Sequence, residues 1–170
     1  GISFVISNER PFKALQGSKK DSGYPDEAFI AGKVNKENIT GVMVPENLLD
    51  SQISELPLGL AKMGYNYVDE RCRRIVIGLE AETGYHADTT NLEELIQKKQ
   101  ELEQKDMNFI AKEKEYKTIF EQMEREMGEI IGLAFANKLG KKSVTLRDVL
   151  KFYLPKSIKI YNSDGFEISL

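Results

Sequence analysis

The sequence of 170 residues holds no tryptophan, one cysteine (Cys72), one histidine (His86) and five prolines. A single cysteine excludes an internal disulfide and suits a reducing compartment such as the cytosol. Because Cys72 and His86 are alone of their kinds, no zinc site of Cys and His ligands can be assembled, and no metal is expected. No apolar run approaches the ~20 residues that cross a bilayer as a helix, so no membrane span is expected either. Charge of one sign is also lacking. The 24 Lys and Arg stand against 27 Asp and Glu, a formal net charge of −3, which leaves no basic footprint for DNA or RNA. What is present is a core: 41% of residues are hydrophobic, with eight Phe and seven Tyr. That is enough for one packed domain, or one with a small appendage, and it argues against disorder.

Along the chain the apolar pattern changes period. Residues 2–7 (ISFVIS), 27–30 and 39–44 (ITGVMV) read as short strands. Between the first two lies a polar stretch with Pro11, Gly17, Gly23 and Pro25, a long loop or irregular helix. Pro45 suits the first turn of a helix. Beyond it the helical period takes over. Asn66 can cap a helix whose Val68, Cys72, Ile75, Val76 and Leu79 share one face, and Gly84 suits a left-handed stop. Thr90 and Glu93 form a capping-box pattern that opens the longest helical stretch. There Leu95, Leu102, Phe109, Tyr116, Met123 and Ile130 recur every seven residues, while Lys99, Asp106 and Glu113 interrupt the companion seam until Phe120 and Met127. The spacing predicts one or two helices over 91–139, ending at Gly140, with a break at 105–108. Thr145 and Asp148 open a short amphipathic helix before Pro155. Residues 158–161 and 166–170 read as strands around an Asn162–Gly165 turn, either joining the early sheet or standing apart. The expected class is α+β, mainly helical: an N-terminal sheet over 1–44, then a helical lobe over 45–170 with one long helix or helical hairpin and a terminal β-hairpin.

Residues 2–44 run from ISFVIS through the polar loop to YPDE and AFIAGKVNKENITGVMV. This order resembles the carboxyl-terminal part of the catalytic fold of mono-ADP-ribosyltransferases of the cholera and pertussis toxin type. In that family a core strand leads to a substrate-recognition loop, a strand bearing the catalytic glutamate, a turn, and another core strand. By this resemblance Glu27 holds the glutamate's position, Lys36-Glu37-Asn38-Ile39 match the segment before the last strand, and Gly41-Val42-Met43-Val44 match the strand itself. The resemblance implies NAD as the sugar donor and a protein acceptor facing residues 13–24, with Tyr24 touching substrate. It also implies a secreted bacterial toxin or effector acting in a host cytosol. The chemistry wants a carboxylate at Glu27 because cleaving the nicotinamide glycosidic bond builds positive charge on the ribose, which a nearby anion stabilises. Pro25 stands where many arginine-modifying members carry Glu or Gln. The family's early arginine and Ser-Thr-Ser strand have no counterpart here, so the expectation is a carboxyl-terminal portion that transfers no ADP-ribose by itself.

Two other readings come from the helical part. Tyr65 and Tyr67 beside Arg71 and Arg74 could stack a base and grip a phosphate as a nucleotide site, although arginines at such spacings also serve as solvated partners of Asp69, Glu70 and Glu80. The long apolar stripe could instead be covered by a partner helix or by a second copy, making a non-catalytic interaction module or a homodimer. His86, in the loop HADTT, lacks a Ser or Cys in any nucleophile motif. Gly140-Lys141-Lys142-Ser143 follows a helix rather than preceding one, which suits a C-cap and not a phosphate loop.

Overall fold

The computed structural model describes residues 3–6, 14–15, 29–30, 36–62 and 65–170. The fold is α+β and mainly helical, with two compact units: Gly1–Glu46 together with Tyr153–Leu170, and Asn47–Phe152.

The first unit is a sheet. Its strands are β1 (Ser3–Ile6), β2 (Ala14–Leu15), β3 (Phe29–Ile30), β4 (Ile39–Met43), β5 (Lys159–Tyr161) and β6 (Glu167–Ile168). Four of them form a sheet in the order β1-β4-β5-β6, and β2 pairs with β3. The terminal strands therefore join the early sheet instead of standing apart. β4 and β5 run parallel, with Val42 opposite Ile160, while the flanking pairs are antiparallel. Val42, Val44 and Ile160 are buried, as β-branched side chains on a covered sheet face should be. Gly41 lies under the Tyr161 ring, where a Cβ would come within 2.7 Å of Cε2. The predicted turn between β5 and β6 is closed by Asn162. Its Oδ1 accepts from the amides of Asp164 (3.1 Å) and Phe166 (2.9 Å), and Gly165 takes the positive φ of 83°.

Parallel neighbours need a crossover connection, and here the crossover is the entire second unit. It holds α1 (Tyr65–Thr83), α2 (Thr90–Gln104), α3 (Phe109–Leu139) and α4 (Leu146–Tyr153, whose last residue belongs to the first unit). Val68, Cys72 and Val76 of α1 are buried, with Ile75 and Leu79 packed against the same core, and Gly84 ends the helix at φ 69°. The chain breaks between α2 and α3 where predicted. Asn108 restarts it, its Oδ1 accepting from the Ala111 amide at 2.8 Å. Gly140 closes α3 in the left-handed conformation, with the Lys141 amide bonded back to the Ala136 carbonyl.

Two local expectations are corrected. Thr90 and Glu93 do not form a capping box: the Asp88 carboxylate accepts from both the Thr90 amide (3.0 Å) and its hydroxyl (2.7 Å), and Glu93 turns to an arginine of α1. The seven-residue stripe also does not run unbroken. Leu95, Leu102, Tyr116, Met123 and Ile130 lie in one core cluster with α1 residues and Leu60, but Phe109 is 73% exposed. The break starts a new helix with its own phase, so a period counted across it loses its meaning. Apart from Phe109, the stripe is covered within the chain.

Segments 49–53 and 144–147, at the two ends of this unit, are bonded to each other. The Ile53 amide donates to the Val144 carbonyl (2.9 Å), Leu146 to Ser51 (3.1 Å) and Arg147 to Leu49 (2.8 Å). The Arg147 guanidinium adds two bonds to the Asp50 carboxylate, at 2.8 and 3.2 Å. The predicted start of α4 is a reciprocal box. Asp148 Oδ2 accepts from the Thr145 amide and hydroxyl, and the Asp148 amide donates to Thr145 Oγ1. The hydrogen bond from Lys141, then that from the Thr145 amide, pulls the Asp148 carboxyl down to about 2. A lowered carboxyl stabilises the fold above its unfolded value near 3.8 and stops doing so as pH falls towards the folded value. The stability difference between the protein and an Asp148→Asn variant should therefore be constant above about pH 5 and shrink on acidification through pH 4 to 2, read by urea midpoints at each pH.

Candidate functional site

Two regions carry the residues singled out by the sequence. In the sheet unit, β1 and β4 pair antiparallel, with Phe4 opposite Val42 and Val5 opposite Gly41; the register shifts between Val5 and Ile6. The short turn Lys36–Asn38 immediately precedes β4, and Phe29 and Ile30 of β3 pair with Leu15 and Ala14 of β2. Glu27 and Tyr24 lie outside the described residues. What surrounds them in sequence is a strand, a short two-stranded ladder, a turn and a second strand paired back to the first.

The other region is α1. Tyr67 is 70% exposed, and Arg71 and Arg74 are also exposed; Tyr65 lies in the first turn, its side chain outside the described residues. The arginines around them are engaged by carboxylates. Arg74 pairs with Glu70 one turn away, and Arg73 lays its fork on Glu93 of α2, Nε to Oε1 at 3.1 Å and Nη2 to Oε2 at 2.7 Å. The hydrogen bonds across this second pair hold the Glu93 carboxyl below, and the Arg73 guanidinium above, their ordinary values. Of the α1 arginines, Arg71 alone has no ion-pair partner among the described residues.

Behind this exposed row is a buried polar cluster that the sequence did not announce. Lys99, which interrupts the companion seam, is only 1% exposed. Its Nζ donates to Asp69 Oδ2 (3.0 Å) and Glu103 Oε1 (2.8 Å), and Gln100 Nε2 reaches the same Asp69 oxygen at 3.3 Å. Burial pushes the Lys99 ammonium down, but the hydrogen bonds from Glu103 and Asp69 outweigh it and the value ends raised. Asp69 Oδ1 is buried without a hydrogen-bond partner. One turn on, burial first and the Asp69 charge second push the Cys72 thiol up to about 11. A buried, protonated thiol is a poor nucleophile. The cluster joins α1 to α2.

His86 meets Glu80 (Nδ1 to Oε1, 3.3 Å) on the surface. Among the described residues no group of three His, Cys, Asp or Glu could hold a metal ion, and no helix is long and apolar enough to cross a membrane. No protein-family model, curated protein or solved structure matches the chain.

Proposed function

We propose that residues 1–44 are the carboxyl-terminal part of a mono-ADP-ribosyltransferase sheet, belonging to a secreted bacterial toxin or effector that uses NAD to modify a host protein. The helical unit is then an accessory region that engages the protein acceptor. One observation carries the reading: β1 pairs antiparallel with β4 immediately after the Lys36–Asn38 turn, while β3 begins two residues after Glu27. This succession of strands supports the reading. In this reading the Glu27 carboxylate accepts a hydrogen bond from the ribose and stabilises the positive charge that develops as the nicotinamide bond lengthens. Tyr24, three residues before it, faces the acceptor.

The test uses the chain expressed with its upstream reading frame, incubated with biotinylated NAD and host-cell extract. Protein labelling is expected, and Glu27→Gln should lower it by about two to three orders of magnitude with an unchanged circular dichroism spectrum. Undiminished labelling by the variant would remove Glu27 from the mechanism, and no labelling by the parent would remove the activity.

A further inference from the structure

A cleft of about 260 Å³ opens on the second unit between segment 52–54, the last third of α3 and the loop 142–144. Its walls are fixed by bonds already described. Ile53 is hydrogen-bonded to Val144, the Gly140 cap sets the path of the loop, and Ser54 rests on α3 where Gly132 leaves space. A Cβ on Gly132 would lie 2.9 Å from the Ser54 Cβ. The cavity is therefore preformed, which lowers the ordering cost of filling it.

The lining divides into two kinds. Ile53, Leu133 and Val144 supply an aliphatic surface, and Leu133 is 53% exposed. Glu129, Lys142, Gln52 and Ser143 supply the polar groups. None of these four side chains has a hydrogen-bond or ion-pair partner among the described residues, and the Gln52 side chain makes no cap hydrogen bond to the turn it precedes. A carboxylate and an ammonium thus line one small cleft without meeting each other. A ligand that satisfies both carries a cation and an acceptor on either side of an aliphatic body.

We infer that this cleft binds an aliphatic residue with a free α-ammonium: the ammonium on Glu129, the side chain against Ile53, Leu133 and Val144, and the following carbonyl accepting from Lys142 and Ser143. The cleft opens on the surface, so the atoms beyond that carbonyl leave through its mouth, and both the first residue of a peptide and a free amino acid share the required chemistry. The inference is independent of the transferase reading, since every wall belongs to Asn47–Phe152.

The probe is Leu-Gly-Gly amide, titrated into the ¹⁵N-labelled full chain and followed by amide chemical shifts, beside N-acetyl-Leu-Gly-Gly amide, Ser-Gly-Gly amide and free L-leucine. Saturable shifts at 129–133 and 142–144 are expected with about millimolar affinity, as befits so small a ligand. Acetylation should weaken binding about tenfold or more, because it removes the charge that meets Glu129. Glu129→Gln, an exposed change that spares the fold, should weaken the unblocked peptide equally and make acetylation irrelevant. Loss of affinity for the serine peptide supports the aliphatic wall. Leucine binding as well as the peptide assigns the source to free amino acid, and peptide binding alone assigns it to a chain end. Equal binding of the acetylated and free peptides, insensitivity to Glu129→Gln, or no shifts with any probe at about 10 mM, ten times the expected dissociation constant, overturns the inference.

Discussion

Gly128→Ala should destabilise the helical unit by about 1–3 kcal/mol, while Gly78→Ala should stabilise it by about 0.5–1 kcal/mol. Both glycines are interior helical positions, Gly78 in α1 and Gly128 in α3. An alanine Cβ at 78 meets nothing within 4 Å on an exposed face, so only the gain in helix propensity remains. At 128 the same Cβ collides with the Ser54 carbonyl oxygen, a backbone atom. Ser54 cannot retreat cheaply, because the preceding residue is tied to Val144. The propensity gain operates at 128 too, so the measured loss understates the steric cost. Urea unfolding with an unchanged m-value reads both numbers. Stabilisation by Gly128→Ala as well would mean that α3 and Ser54 do not approach as closely as described.

Lys99→Met should cost about 3 kcal/mol or more. The substitution keeps most of the length of the side chain but removes the ammonium hydrogen-bonded to Asp69 Oδ2, leaving a carboxylate in a site where its other oxygen already lacks a partner among the described residues. Removing both charges in Lys99→Met with Asp69→Leu should restore most of the loss, since the desolvation cost of each ion disappears with it. The coupling energy from that cycle separates a buried ion pair from two independent packing sites. The pH sign follows from the raised lysine value. The pair's contribution is fully present below the ordinary lysine value of 10.5 and is lost as pH rises through the higher folded one. A double variant as unstable as Lys99→Met alone would refute the pairing.

What the sequence made legible was local. The break at 105–108, the left-handed stops at Gly84 and Gly140 and the Thr145–Asp148 box each depend on residues within one turn of each other, and each is present. What stayed hidden depends on distant partners. Lys99 reads as a flaw in an apolar seam until Asp69, on another helix, is brought beside it. Thr90 and Glu93 have the spacing of a capping box, but Arg73 offers Glu93 a two-point ion pair, and Asp88, two residues before the helix, takes the Thr90 amide and hydroxyl. The cleft is invisible for the same reason, its walls coming from three separated segments. Of the candidate site, Glu27 and Tyr24 lie outside the described residues, and what the sequence made readable there is the pair of strands on either side of them, β1 and β4. The engagement of Arg73 and Arg74 by carboxylates could not be read from spacing alone.

The stitched ends of the helical unit bear on the order of assembly. β4 and β5 are separated by more than a hundred residues, a span whose closure carries a large entropic cost in an unfolded chain. Once Leu49–Ile53 and Val144–Arg147 have zipped together, the effective loop between the two strands shrinks to residues 44–48 on one side and 148–158, most of them in α4, on the other. The helices, rich in short-range contacts, should form early, and the parallel strands should dock last, in a step made nearly local by what preceded it.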